Sequence, residues 1–284
     1  MLNTTAKRRY ERFLTETERN CALETKIIAV CNQKGGVAKT FTSINLGIGL
    51  ARAGKKVLLV DMDAQGSLTA SLGWQHPDQM DVTLATLMSH IINDEPIQPG
   101  EGILHHKEGV DVVPANIELS GIEVALVNIM SRETVLREYL KTIRDNYDYI
   151  ILDCGPSLGM LTINAMSAAD SILIPMQAQF LSIKGMEQLL RTISKIKRKI
   201  NSHLEITGIL ITMADLRTNF SREIVELLRS NYGGQLRIFD SIIPVSIRAV
   251  EASAAGCSIY SHDPSGKVAA AYSSLTQEVI SSEK

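Results

Sequence analysis

Short apolar segments rich in β-branched residues recur along the chain, and longer segments with helical spacing separate them. The segments predicted as strands are residues 27–31, 57–61, 110–113, 149–153, 171–174, 206–211 and 238–242. Short apolar runs are typical of strands buried in a parallel sheet, and the intervening segments have the apolar spacing of covering helices. The alternation predicts a single three-layer α/β domain, a mostly parallel twisted sheet with helices on both faces.

A turn with two glycines, two lysines and a threonine follows the first predicted strand and precedes a helical segment at residues 42–51. At a helix N-terminus, backbone N–H groups converge on one point and the helix dipole adds partial positive charge. Gly35 and Gly36 let the backbone approach a phosphate. Lys39 reaches the β- and γ-phosphates, and the Thr40 hydroxyl is placed to ligate Mg²⁺. The sequence therefore predicts ATP binding.

Carboxylates end the next strands of the predicted sheet. Asp61 and Asp63 follow one apolar run and Asp153 follows another. If the strand continues through Asp63, the side chains of Asp61 and Asp63 point to the same side. Carboxylates beside a lysine–threonine pair are what a Mg-nucleotide site needs, although such residues also cap turns. Phosphoryl transfer depends on positioning and charge, so no covalent nucleophile is expected.

One departure from the general phosphate-loop pattern is informative. That pattern has glycine where this chain has Gln33 and Ala38, and here an additional lysine, Lys34, opens the turn. With this variant the sequence resembles the deviant Walker A ATPases, specifically the ParA/Soj branch that partitions plasmids and chromosomes. The resemblance covers nearly all of residues 26–280. Residues 60–69 look like the family's second motif and residues 147–159 like its Walker B segment, and further matching segments are residues 168–175, 213–222 and 243–248.

The resemblance implies an ATPase that hydrolyses ATP slowly with Mg²⁺ as a nucleotide-dependent homodimer. Three catalytic residues follow from it: Lys39, Lys34, which reaches the phosphates of the partner subunit's ATP, and Asp63, which orients the attacking water. Asp61 and Asp153 are implied to hold Mg²⁺ through its bound waters, beside Thr40. The residues expected to contact the nucleotide are Lys34, Gly35, Gly36, Val37, Ala38, Lys39, Thr40 and Phe41.

Net charge is −2, so any contact with DNA must come from a local basic patch. Residues 181–200 have basic positions near one helical face, which fits either a DNA surface or an ordinary solvated face. The family resemblance favours non-specific double-stranded DNA. The candidate DNA contacts are Lys195, Lys197, Arg198, Lys199, Arg217, Arg222 and Arg248. The implied protein partner, which stimulates hydrolysis, is a ParB-type or ribbon-helix-helix centromere-binding protein.

Two other functions stay open on the same scaffold, a MinD-like membrane-positioning ATPase and a small-molecule ligase. The segment 272–284 has few basic or large apolar residues, which disfavours a membrane-binding helix. No run approaches the roughly 18 apolar residues of a membrane span, and the four cysteines lack metal-site spacing. We therefore expect a cytoplasmic, nucleoid-associated protein. Residues 1–25 are predicted as a short helical extension, too short for a helix-turn-helix module, before an ATPase domain at 26–284.

Overall fold

The computed structural model describes residues 25–282, and only the backbone of residues 180–184. Within this range eight strands form one sheet. The strands are β1 (Lys26–Val30), β2 (Val57–Met62), β3 (Leu104–His105), β4 (Asp111–Val113), β5 (Tyr149–Cys154), β6 (Ser171–Gln177), β7 (Glu205–Ala214) and β8 (Ile238–Pro244). The α-helices are α1 (Lys39–Arg52), α2 (Ser67–Ser71), α3 (Leu84–Ile92), α4 (Leu119–Ala125), α5 (Val135–Lys141), α6 (Met160–Ala168), α7 (Phe180–Lys199), α8 (Asn219–Tyr232), α9 (Ile247–Ala254), α10 (Ile259–His262) and α11 (Lys267–Ser281).

The order of strands across the sheet is β3-β4-β2-β5-β1-β6-β7-β8. All neighbouring strands run parallel except β3, which is antiparallel to β4. In this arrangement β5 lies between β1 and β2, with Asp153 opposite both Val30 and Asp61. The carboxyl ends of the three strands that carry the candidate site residues therefore meet at one edge of the sheet.

Alternate residues of the central strands enter separate cores on the two faces of the sheet. Leu58 and Val60 of β2 pack in the core that includes α3, α5, α6, α7 and α8. Val57 and Leu59 pack in the core that includes α1 and α11. Gly47 of α1 faces the Leu59 side chain so closely that any Cβ there would clash with it. Both faces are thus covered, which is why the strands read as continuous apolar runs.

The predicted fold class is confirmed, and each of the seven predicted strands corresponds to an observed one. The sequence prediction missed β3, which has only two residues and pairs at the sheet edge. The predicted N-terminal extension falls on residues 1–25, of which all but Thr25 lie outside the described residues. None of the described helices is long and apolar enough to span a membrane.

Candidate nucleotide site

The loop between β1 and α1 has the backbone of an anion cradle. Gly36 and Ala38 have positive φ angles, 68° and 62°, and α1 begins immediately after Ala38. Glycine adopts this left-handed region readily, whereas alanine at the same angles carries a steric cost of about 1 kcal/mol. Ala38 therefore retains, with some strain, the backbone shape that glycine provides in the general phosphate-loop pattern.

Polar side chains hold the loop to the neighbouring strands. The Asn32 amide donates to the carbonyl of Pro175 in β6 at 2.7 Å. The Thr212 hydroxyl of β7 donates to the carbonyl of Val37 at 3.0 Å. Both contacts are buried and join residues more than a hundred positions apart. They fix the loop before any ligand arrives, which is the preorganisation that phosphate binding requires.

Lys39, the first residue of α1, is only 7% exposed. Its Nζ donates to the carbonyl of Lys34 at 3.2 Å, so the ammonium lies under the loop. Burial lowers the pKa of Lys39, and the nearby charge of Asp153 opposes that shift. A buried ammonium beside converging backbone N–H groups is suited to binding a phosphate. The negative charge of the phosphate would compensate the cost of burying the positive charge of Lys39.

Asp153, near the end of β5, comes together with the first turn of α1 as predicted. It is fully buried, and its Oδ1 accepts from the Ser43 hydroxyl at 2.8 Å. Its Oδ2 has no partner, and burial raises the pKa of Asp153 to about 6. The Thr40 side chain also lies close to this carboxyl group and opposes the rise of its pKa. An orphaned carboxylate oxygen next to a threonine hydroxyl fits a hard divalent cation such as Mg²⁺.

Asp61 is also fully buried, but the protein already occupies both of its carboxylate oxygens. Its Oδ2 accepts from the backbone N–H and the hydroxyl of Thr69, at 2.9 and 2.8 Å. Its Oδ1 accepts from the backbone N–H of Asp63 at 3.2 Å. Burial, and next the charge of Asp153, raise the pKa of Asp61 to about 7. Asp61 therefore anchors the turn of residues 63–69, a structural role that the sequence prediction of a Mg²⁺-binding residue did not include.

Asp63 lies outside the strand, because β2 ends at Met62. The sequence analysis expected both side chains on one side of the sheet only if the strand continued through Asp63. The strand ends earlier, so that expectation does not apply. Asp63 is half-buried in the turn after β2, and its Cγ lies 3.3 Å from where a Cβ on Gly155 would be. Its carboxylate thus reaches the loop after β5 from a turn outside the sheet, a position compatible with the predicted role of orienting water.

An apolar cavity of about 470 Å³ opens beside the phosphate loop. Its lining comes from the phosphate loop, the first turn of α1, the carboxyl ends of β7 and β8, and α9, and includes Gly36, Phe41, Met213, Pro244, Val245 and Val250. An apolar pocket adjoining a phosphate cradle suits an aromatic base. Of these six residues, the sequence prediction assigned only Gly36 and Phe41 to the nucleotide, because the others belong to segments distant in sequence.

The predicted DNA contacts form two separate groups. The α7 set (Lys195, Lys197, Arg198 and Lys199) is exposed in the last turns of α7, which begins at the nucleotide edge and runs away from it. A helix of 20 residues is about 30 Å long, so this set lies near the opposite edge of the sheet. The loop set (Arg217, Arg222 and Arg248) follows β7 and β8 and lies at the nucleotide edge.

Arginines of the loop set already have partners in the chain. Arg217 forms two hydrogen bonds with Asp215, both at 2.8 Å, and Arg248 donates to Glu251 at 2.9 Å. These pairs are exposed and contribute little to stability, so a DNA phosphate could compete for the guanidinium groups.

Several residues that shape the site escaped the sequence prediction. Thr69 and Ser43 hold the two buried aspartates, and Gln177 and Gln179 contact the side chain of Lys34. Gln177 could have been predicted from the sequence, because it is a polar residue at the carboxyl end of a central parallel strand. Residues at that position face the ligand crevice in folds of this kind. Serine and threonine give no comparable signal, because they occur throughout ordinary helices and turns.

Comparisons with known proteins agree with this geometry. A family model described as AAA domain matches residues 25–206. Sporulation initiation inhibitor protein Soj from Bacillus subtilis is 41% identical over 258 residues, 89% of this chain and 98% of that protein. Chromosome partitioning protein ParA from Myxococcus xanthus is 42% identical over 265 residues, 93% of this chain and 90% of that protein.

A solved structure extends the comparison to a bound nucleotide. It is cobyrinic acid a,c-diamide synthase from Mycobacterium smegmatis with bound ATP analogue and magnesium, 34% identical to this chain with a TM-score of 0.80. The match covers 92% of this chain and 96% of that one. This chain therefore belongs to the AAA domain family and, within it, to the ParA/Soj-type partition ATPases.

Proposed function

We propose that this protein is an ATP-dependent DNA segregation ATPase, which closes as a homodimer on ATP, binds DNA without sequence preference and is released by hydrolysis. The observation that carries the proposal is the convergence of Lys39, Thr40 and Asp153 under a preformed phosphate loop that also carries Lys34. The similarity to Soj and ParA over about nine-tenths of the chain supports the same function.

ATP and Mg²⁺ are the cofactors in this proposal. The backbone of residues 34–41 and the ammonium of Lys39 bind the phosphates, and the Thr40 hydroxyl and Asp153 hold Mg²⁺. When bound, the metal would neutralise phosphate charge during transfer. Asp61 would help to hold the metal through water, while its contacts with Thr69 hold the following turn. Asp63 accepts a hydrogen bond from the attacking water and orients it.

Basal hydrolysis is slow in this scheme, because the catalytic geometry is incomplete in one subunit. Asp63 belongs to a half-exposed turn, and no partner cation neutralises the charge that develops on the γ-phosphate. Lys34 of the partner subunit supplies that cation, so dimerisation and turnover are coupled. In this scheme basal hydrolysis stays slow in the dimer as well, because a switch that hydrolysed ATP freely could not stay on DNA until a partner protein triggers release.

Exposed apolar side chains on either side of the phosphate loop support a dimer at this edge. Met213, Val245 and Ile247 on one side are between 43% and 79% exposed. On the other side, after the carboxyl end of β4, Val124 and Met130 are 71% and 92% exposed. Apolar groups of this size gathered around a polar site are typical of a surface that another protein covers. Gly35, exposed between them, leaves space for the close approach of the two loops.

DNA binding depends mainly on the loop set in this proposal. These arginines lie on segments that also line or adjoin the cavity beside the phosphate loop, so nucleotide can alter their arrangement. The α7 set lies at the other edge and adds charge that is independent of nucleotide. Phosphate contacts of both kinds carry no base information and weaken steeply with salt.

The partner protein is proposed to be a ParB-type or ribbon-helix-helix protein that binds the centromere site and stimulates hydrolysis. Its basic segment would approach the dimer at the nucleotide edge. Association with the nucleoid then follows from non-specific DNA binding in the ATP state and release in the ADP state.

A DNA retention experiment tests this function. Unrelated duplex DNA should retain the protein with a non-hydrolysable ATP analogue, and retention should fall with salt and be absent with ADP. Replacing the loop set by alanine should abolish the nucleotide-dependent part, whereas the same change in the α7 set should lower retention equally in both nucleotide states. Equal retention with ATP analogue and ADP would exclude the proposed switch.

A small-molecule ligase is the second candidate, favoured by the 34% identity to cobyrinic acid a,c-diamide synthase. The higher identity to the partition proteins, 41% and 42%, supports the first candidate. ADP release separates the two functions. A partition ATPase should be stimulated by duplex DNA together with its partner protein, whereas a ligase should be stimulated by a carboxylate substrate with ammonia or glutamine as nitrogen donor.

A further inference from the structure

The side chain of Lys34 is held within its own subunit by two glutamines, Gln177 and Gln179, called here the glutamine pair. Its Nζ donates to Gln179 Oε1 at 2.6 Å and to Gln177 Oε1 at 3.3 Å. The amide nitrogen of Gln177 donates in turn to the carbonyl of Gly36 at 2.8 Å. The ammonium of Lys34 is therefore tied to the end of β6 and the start of α7.

The two lysines of the loop differ in what they contact. The Lys39 ammonium lies under the loop and near the Asp153 carboxylate, inside the site that its own subunit builds. The Lys34 ammonium instead contacts neutral amide oxygens, and the contact with Gln179 is exposed. A neutral amide holds an ammonium less strongly than a carboxylate or phosphate does, so the Lys34 contact can be exchanged for a stronger one.

In the proposed function, Lys34 must leave the glutamine pair to reach the phosphates of the partner subunit's ATP. Formation of one dimer therefore breaks the contact between Lys34 and the glutamine pair twice, once in each subunit. An equilibrium between separate subunits and the ATP-bound dimer depends on the difference in free energy between the two states. A contact that exists only in the separate subunit, here called the open subunit, therefore opposes formation of the dimer. The glutamine pair is such a contact.

We propose that Gln177 and Gln179 set the affinity of the ATP-dependent dimer by retaining Lys34 in the open subunit. Gln179 is the adjustable member, because it makes the shorter bond and lies at the surface. Gln177 also supports the loop through Gly36, so its replacement would disturb nucleotide binding as well. This inference rests on the proposed function and identifies two positioning residues that regulate it.

Lysine reactivity tests the contact itself, without requiring a dimer. In nucleotide-free protein, the rate at which an amine-acylating reagent modifies Lys34 is measured by mass spectrometry of the digested chain. Gln179→Ala should raise that rate about threefold or more, the equivalent of one weak hydrogen bond at an exposed position. Gln179→Glu should lower it, because a carboxylate holds the ammonium more firmly. Gln188→Ala, at an exposed position of α7, is the matched control and should leave the rate unchanged.

The dissociation constant of the dimer tests whether retention of Lys34 by the glutamine pair weakens dimer formation. Sedimentation with a non-hydrolysable ATP analogue should give a dimer Kd about tenfold lower for Gln179→Ala, since each dimer releases two contacts, and a higher Kd for Gln179→Glu. Nucleotide affinity of the monomer should be the same in all variants. If Gln179→Ala leaves Lys34 reactivity unchanged, or if it fails to strengthen a dimer that the unsubstituted protein forms, the inference is wrong. If the unsubstituted protein forms no dimer with the analogue, the proposed function fails instead.

Discussion

Replacing Thr69 by valine should destabilise the protein far more than the loss of one hydroxyl suggests. Thr69 is fully buried, and its hydroxyl donates to Asp61 at 2.8 Å while accepting from the backbone N–H of Ala115 at 3.1 Å. The variant loses a hydrogen bond to a charged group, about 1.5–3 kcal/mol, and orphans a buried N–H, about 1–3 kcal/mol. We expect the free energy of unfolding to fall by about 3–5 kcal/mol.

Urea denaturation of the nucleotide-free protein at pH 8 measures this loss, with the m value monitored to detect a changed unfolded state. Thr276→Val is the matched control, because Thr276 is equally buried but its hydroxyl donates to the carbonyl of Tyr272 within α11. The control should lose about 1 kcal/mol.

The pH dependence of the Thr69→Val loss tests its electrostatic origin. The Thr69 hydroxyl favours the charged form of Asp61, whose folded pKa is about 7. The loss should therefore be larger at pH 8 than at pH 5.5, where Asp61 is protonated. A loss no greater than that of Thr276→Val, or one that is the same at both pH values, would show that Asp61 does not depend on Thr69.

Three further changes test other parts of the site. Burial raises the pKa values of Asp61 and Asp153 to about 7 and 6, so the folded state binds more protons than the unfolded chain between about pH 4 and 7. Without Mg²⁺ the free energy of unfolding should fall as pH rises through that window, and Asp153→Asn should flatten the profile. Gly35→Val should leave folding intact and impair dimer formation more than nucleotide affinity, so that the protein stays monomeric at an ATP-analogue concentration that saturates it, as light scattering can measure. Asp63→Ala should retain ATP binding but lower phosphate release by at least about 100-fold and accumulate the dimer; normal turnover would contradict its role.

The sequence predicted the loop part of the site because its members are neighbours in the chain. The order of strand, glycine turn, lysine, threonine and helix fixes the conformation through local backbone preferences and hydrogen bonding. The same holds for Asp61 and Asp153, which end apolar runs: once the strands are parallel, their carboxyl ends must meet at one edge.

Contacts between distant segments could not be predicted in this way. The Thr212 and Asn32 side chains hold the loop to β7 and β6, and the Gln177–Lys34 contact joins residues 143 positions apart. An amide or hydroxyl has the same chemistry wherever it lies, so its partner depends on which strands become neighbours. The end of β2 at Met62 was missed for a different reason: the strand ends in a local turn, where the Asp61 carboxylate accepts from the backbone N–H of Asp63, and the apolar run does not mark that turn.

By itself the sequence determined the α/β class, the phosphate loop and the strand-end carboxylates, because periodicity and local motif chemistry act over a few residues. Only the tertiary structure decided which oxygens of the buried carboxylates remain open, where Lys34 is held, and which segments enclose the apolar cavity. It also separated the α7 set from the loop set, since a helix that crosses the full sheet carries its two ends to opposite edges. These features arise from packing between elements, and packing depends on the whole chain at once.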